Sequence, residues 1–480
     1  MTPRRDAGPN DVALSDGPTA GDRRTTPFTN WSPIRCAIGV SACIAAVSIA
    51  INLTFMHQFS ALGFFFLDDT LFNSDPMSML EVLGQGTRSI SIMYPELRNS
   101  IHPYLWLYFA PIIRVLAKIV IAVGASDLNE PQLRAMMGTF VIPIVAMLQS
   151  VIFGLLAFAM GLRIRHVILV SLLNVAMFSN LIFGAIPEHF AVTNLSITAL
   201  LLISAISMNR RRLAGLWAWI AAGSISTGIT ITNVVAFAII RAGTVLSDRS
   251  APTVRALAAS GLLSLAIGLC VLGSAHLIGV AIDGPLQRGS IRDNFVPRYF
   301  RDDTFTWHAP LRALSALGNA VAPDGSDIRT TPPTPVPTPH YAELTAPFAT
   351  SPFPTYTLES APGSLPGIGI IGIIAIVAMA LGAMTMVSRP GPPRSLGLMS
   401  LALIGYNMAL HMVWGDEFFI YSQHWITPAL ILLSGLLMAP AKIRPISEAA
   451  CALIAVAVAW NNISVIVALL TAARTTAGIQ

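Results

Sequence analysis

Apolar runs separated by short polar joins recur along almost the whole chain, near 35–57, 134–160, 167–186, 189–208, 213–241, 256–282, 366–387, 396–413, 425–439 and 447–471. A bilayer's hydrocarbon core is crossed by about 20 apolar residues in a helix, so this spacing predicts a polytopic all-α bundle. One more run, 103–124, carries Arg114 and Lys118, which can snorkel to headgroups from a segment that does not cross. Composition strengthens the reading. Of 480 residues, 54% are hydrophobic and 11% charged, whereas an ordinary soluble domain carries about 25% charged residues. No room is left for a large soluble domain.

Charge sets the orientation. Short loops that keep Lys and Arg stay cytoplasmic, because these residues resist translocation. The basic places are the polar tail, Arg163 with Arg165, Arg210 to Arg212, Arg241 with Arg249 and Arg255, Arg389 with Arg394, and Lys442 with Arg444. All should share one face. If every run crossed once, 210–212 would lie outside whenever the tail lay inside. The conflict disappears when 103–124 is a re-entrant or surface-lying segment and 213–241 crosses twice, turning in its Gly, Ser and Thr-rich middle. Its 29 residues span roughly 44 Å as one helix, so a single tilted pass is the alternative. The two-pass reading gives about eleven spans.

The organisation that follows is a disordered cytoplasmic tail, 1–34, then an amino-terminal transmembrane module, 35–282, whose first outer loop covers 58–133. A Pro-rich extracytoplasmic loop follows at 283–365, then carboxyl-terminal transmembrane helices at 366–480. The expected location is a plasma membrane, with the amino terminus cytoplasmic and a bacterial inner membrane favoured by the Arg-rich, Lys-poor composition. The net charge of +5 lies in short clusters rather than on a basic face, which excludes a nucleic-acid partner. Cys36, Cys43, Cys270 and Cys451 lie in or beside apolar runs without paired spacing and are expected to be small core residues. Gly367, Gly369 and Gly372 match a dinucleotide fingerprint in spacing alone and, lacking a strand before them, read as helix-packing glycines.

Polar chemistry gathers on the expected outer face. Asp68 and Asp69 follow Phe64, Phe65 and Phe66 directly after the first run. Adjacent carboxylates repel, which can raise one pKa and leave a general base or a cation site; the alternative is a solvated helix end. His102 before Pro103 is either a sugar or phosphate ligand or a helix-start residue. Glu188, in the Pro187-Glu188-His189 corner, is either functional or a turn residue. Asp416, Glu417, Tyr421 and His424 form an acidic and aromatic set between two runs, suited to holding sugar hydroxyls and ring C–H, or else an interfacial belt. No spacing of His and Cys is specific for a transition metal.

An amino-terminal span ending in an acidic pair, a large outer loop with His102-Pro103 leading a non-crossing segment, and many further spans together resemble the membrane-embedded GT-C glycosyltransferase superfamily. The resemblance is architectural and covers roughly 35–240. It implies transfer of a sugar from a polyprenyl-phosphate carrier to an envelope glycan, lipid or protein acceptor on the outer face. It also implies a base or cation-holding role for Asp68 and Asp69, and carrier-phosphate binding by Arg134, with Arg98, Arg114 and Lys118 as further anion ligands. A divalent cation would be compatible with the acidic pair. The absence of a carboxyl-terminal soluble domain departs from oligosaccharyltransferases and argues against transfer of a preassembled glycan to Asn. Two other classes compete: a lipid-sugar transporter or flippase, which needs broken helices or charges near the bilayer middle, and a noncatalytic membrane subunit of an envelope assembly complex.

Overall fold

The computed structural model describes residues 31–66, 71–72, 74, 76, 79–80, 102–126, 128, 130–247, 253–283, 308–331, 355–358, 367–414 and 418–477. The described residues are almost entirely helical. In chain order the helices are α1 (Trp31–Ala61), α2 (Leu105–Ala122), α3 (Glu130–Ala159), α4 (Ile164–Ala176), α5 (Phe178–Phe183), α6 (Phe190–Asn209) and α7 (Leu216–Ile229). They continue as α8 (Asn233–Ser247), α9 (Thr253–Asp283), α10 (His308–Val321), α11 (Ile370–Val387), α12 (Pro392–Val413), α13 (Ile426–Ser434) and α14 (Arg444–Ala477). The strands β1 (Arg329–Thr331) and β2 (Thr355–Thr357) form one small antiparallel pair. Seven of the described helices are long and apolar enough to cross a membrane, and four shorter apolar helices accompany them. The protein is an all-α, multi-pass membrane protein.

Its exterior is correspondingly apolar. Trp217, Trp460, Leu453 and Val456 are all exposed, as expected for side chains whose solvent is lipid. Three of the cysteines expected in the core, Cys36, Cys43 and Cys270, belong to this exposed surface; Cys451 alone is buried. Thiols are small and apolar enough for either environment, so their apolar sequence context did not separate the two.

The basic joins share one end of the bundle. Asn209 at the end of α6 donates to the Ala159 carbonyl at the end of α3. Arg165 and His166 at the start of α4 reach Glu448 at the start of α14, at 2.7 and 2.8 Å. Ser204 and Thr244 tie α6 to α8, 2.6 Å apart. Helices leaving this end carry the opposite joins to the other, where Glu188 and His189 link α5 to α6. α2 begins beside His189 and leads through 123–129 into Glu130, the far end of α3 from Ala159. Both ends of α2 therefore lie on the His189 side. Its Leu105 and Ile113 pack with Ile142 and Val145, while Ile112, Val115 and Ile119 stay exposed.

Two apolar runs are interrupted, of which one, 167–186, was expected to be continuous. The run 167–186 was expected as one span and instead forms α4 and α5, broken at Met177 (φ −59°, ψ 134°). Asn side chains compete with the backbone for hydrogen bonds, and here they occupy the carbonyls the break releases. Asn180 donates to the Asn174 carbonyl at 2.6 Å, and Asn462 of α14 donates to that of Ala176 at 2.8 Å. The run 213–241 is two helices, about 21 and 22 Å long at 1.5 Å per residue, rather than a single tilted one. Thr230 is extended between them, and Tyr104, Tyr406 and Asn233 donate to the carbonyls of Gly228, Thr232 and Ser226.

Two boundaries also differ. The helix begins at Trp31, not after residue 34, and the loop expected over 283–365 contains α10 and the β1–β2 pair. α10 buries Ala309, Ala313, Ala316 and Ala320, a small-residue face at helical spacing that the neighbouring prolines obscure. Asn462 also donates to the Val321 carbonyl at its end, at 2.7 Å.

Close packing depends on missing side chains at Gly382 of α11 and Gly435, which follows α13. A methyl at Gly382 would collide with the Leu432 carbonyl oxygen, a backbone atom that cannot move aside. Gly382→Ala should destabilise the protein by about 1–3 kcal/mol, as overpacking does, whereas Gly405→Ala, with nothing within 4 Å, should not. Thermal unfolding of detergent-purified variants followed by size-exclusion chromatography checks this.

Candidate functional site

At the end opposite the basic joins, four segments bring together His102, Glu188, His189, His411, Tyr421 and His424. His102 precedes α2, Glu188 and His189 form the α5–α6 corner, His411 closes α12, and the other two lie on the 3-10 turn Phe419–His424. The His102 and His189 ring centroids are 3.9 Å apart. His411 stacks on Tyr421 at 3.7 Å and 11°, and lies 5.7 Å from His424. Phe190 bridges the halves, 3.9 Å from His189 and 6.0 Å from His424.

Hydrogen bonds fix two of these rings. His189 Nδ1 lies 3.0 Å from Glu188 Oε2, which also accepts from the His189 backbone N–H at 2.8 Å. An ionised carboxylate can only accept, so beside it Nδ1 carries the ring proton and, in the neutral tautomer, Nε2 the lone pair. His102 Nδ1 donates to the Ile229 carbonyl at 2.9 Å, selecting the same tautomer. Both imidazoles are thus oriented by neighbours through Nδ1. His102 is two residues before Tyr104, the N-cap of α2, and its bond ties that start to the end of α7.

His424 is fully enclosed, in the turn between α12 and α13. Burial, and then the fields of His411 and His189, hold it well below the ordinary histidine value. Its Nε2 has no hydrogen-bond partner among the described residues.

Below this cluster a seam of amides and hydroxyls runs into the bundle. Asn194 Nδ2 donates to Gln423 Oε1 at 2.9 Å, and Gln423 Nε2 reaches Asn180 Oδ1 at the same distance. Thr427 donates to Asn194 Oδ1 at 2.7 Å; Asn174 donates to Gln149 Oε1 at 3.0 Å, and Gln149 returns toward Thr427 at 3.2 Å. A cavity of about 10 Å³ lies among Ser48, Asn52, Gln149, Asn174, Asn180 and Asn194. That is room for about one water.

The sequence-derived candidates divide clearly. Glu188, His102, Tyr421 and His424 meet in the cluster. Arg134 does not: it faces Glu130 at 3.8 Å, eight residues or roughly 12 Å of helix before Ile142. Asp68, Asp69, Asp416 and Glu417 lie outside the described residues, as does Arg98. The described flank of the first pair, Phe65 and Leu71, packs in the cluster that includes Phe183, Phe190 and Phe419, with Tyr421 against it. Among the described residues, no group of three His, Cys, Asp or Glu could hold a metal ion.

Sequence reading undervalued His189 and His411 and missed the amide seam. A signal was present: Asn174, Asn180, Asn194 and Gln149 stand inside apolar runs, where an unsatisfied amide is expensive and a partner is therefore implied. Known proteins offer no further guide, since no family model, curated protein or solved structure matches the chain.

Two outcomes follow. Asn194→Leu, which strips partners from buried Gln423 and Thr427, should cost about 1–3 kcal/mol per orphaned group, read as a lower unfolding temperature. For His424, the folded pKa is depressed, so below the unfolded value the unfolded chain binds the extra proton and stability falls as pH falls. From pH 7 to 5 the loss should approach at most about 1.4 kcal/mol per unit, and His424→Gln should flatten that part of the melting profile.

Proposed function

We propose that the protein is a membrane glycosyltransferase that moves a sugar from a polyprenyl-phosphate carrier to an envelope acceptor on the outer face. The observation that carries this reading is the convergence of His102, Glu188, His189, His411, Tyr421 and His424 at the end of the bundle away from the arginine-rich joins. By the positive-inside rule that end faces outward. Eleven crossings, with α2 not among them, are compatible with both ends of α2 lying on the His189 side.

In the proposed reaction an acceptor hydroxyl oxygen attacks the anomeric carbon. The new C–O bond forms as the bond from that carbon to the carrier phosphate breaks, with inversion. The hydroxyl proton passes to a carboxylate of the Asp68–Asp69 pair, and the phosphate leaves with the negative charge on its lipid. His189 Nε2, its tautomer set by Glu188, is a second proton acceptor, within the histidine cluster. The partly exposed ring of Tyr421, stacked on buried His411, is suited to sugar C–H groups. The carrier tail stays in lipid, so the protein needs polar partners only for sugar and phosphate.

One observation favours transport instead: the α4–α5 break and the amide seam lie within the bundle, where a carrier places its substrate site. The seam's amides bond one another and enclose space for about one water, which supports a structural role.

The test compares lipid-linked sugars and envelope glycans in cells carrying the wild type, a deletion, Asp68→Asn, Asp69→Asn or His189→Asn at matched protein levels. Loss of a catalytic proton acceptor should slow transfer about 10²–10⁴-fold, so the deletion's glycan defect should return with accumulated lipid-linked sugar. Wild-type glycans in all three variants, beside a deletion phenotype, would reject catalysis and favour a transporter or noncatalytic subunit.

A further inference from the structure

The α7–α8 hairpin holds an arginine with no counter-ion among the described residues. Arg241, six residues before the end of α8, lies 5.4 Å from the ring centre of Trp219 in the first turn of α7. Trp219 is fully buried and backed by Phe237 edge-on at 6.1 Å. The Arg241 Nε and Nη1 atoms and the Trp219 Nε1 atom have no hydrogen-bond acceptor among the described residues. Three donors without an acceptor on neighbouring side chains are costly.

The surroundings specify what is missing. Arg210, Arg211 and Arg212 precede α7, and Arg255 opens α9, which packs on both hairpin helices. Among the described residues the carboxylate at this end is Glu448, and Arg165 and His166 already engage it. Beside the site, Leu216, Trp217 and Val254 are exposed apolar side chains, 54%, 80% and 81% accessible. An acceptor-rich anion with an apolar attachment matches both halves of this description.

We propose that Arg241 and Trp219 form a binding site for a phosphate group at the basic end of the bundle, supplied by the headgroup of an anionic phospholipid or by free phosphate. The guanidinium presents paired N–H groups suited to two phosphate oxygens, the indole face lies against it at 5.4 Å, and the indole N–H is a further donor without an acceptor among the described residues. Lys at this position would keep the charge and lose the paired geometry. The site lies at the opposite end from the histidine cluster and does not depend on the proposed transfer reaction.

The experiment is native mass spectrometry of the full chain in detergent, titrated in separate arms with phosphatidylglycerol and inorganic phosphate, with unfolding temperature read in parallel. In the wild type one equivalent of one of these should be retained and raise that temperature, and the arm that responds identifies the source. Arg241→Gln should weaken binding at least about tenfold; Arg241→Lys and Trp219→Phe should weaken it severalfold, and Arg394→Gln, an exposed arginine of the same end, should leave it unchanged. If Arg241→Gln does not yield folded protein, Trp219→Phe on the same titration decides. No retention in either arm, binding unaltered in the hairpin variants, or equal loss in Arg394→Gln overturns the site.

Discussion

Inside a bilayer a carbonyl released by a broken helix cannot turn to water, and this constraint organises the structure. The chain breaks its helices at Met177 and at Thr230, and each break is closed by one nearby amide side chain together with donors from distant segments. Asn180 and Asn462 serve the first; Tyr104, Asn233 and Tyr406 serve the second. Because Asn462 also holds the end of α10, one amide couples three parts of the fold. The breaks are what allow α5 to turn sharply into the Glu188–His189 corner and α7 to end beneath His102.

The same donors connect fold to site. His102 and Tyr104 bond the carbonyls left free at the buried end of α7, which fixes where α2 starts. Gln423, in the turn that carries Tyr421 and His424, is held by Asn180 and Asn194. The histidine cluster therefore rests on a hydrogen-bonded seam rather than on loop conformation. Burial of His424 above that seam keeps it neutral near pH 7, so its charge does not disturb the apolar rings around it.

Much of the fold was legible because hydrophobic periodicity and charge placement are direct consequences of membrane solvation. The basic joins do share an end, and 103–124 begins and ends on the other. The run 213–241 forms two helices, and the turn between them falls within the Gly, Ser and Thr-rich stretch to which charge parity and composition together pointed. The break at Met177 was not legible: Asn174 and Asn180 look like isolated polar residues until their partners, far away in sequence, are known. α10 was hidden for a related reason, since its alanine face gains meaning only against α11 and the turn at Phe419. At the site, Glu188 and His424 were found from their interfacial positions. Pairing of Glu188 with His189, and of His411 with Tyr421, required the tertiary structure.

The claim on which function depends is that the histidine cluster and the arginine joins face opposite sides of the membrane. The direct measurement is labelling of single cysteines by a membrane-impermeant maleimide, in a background with the four native cysteines replaced. Leu128→Cys, just before α3 on the cluster side, and Arg211→Cys, between α6 and α7, are compared in intact and permeabilised cells. The account predicts that Leu128→Cys labels in intact cells and Arg211→Cys only after permeabilisation; labelling of both from one side, or the reverse pattern, would contradict it.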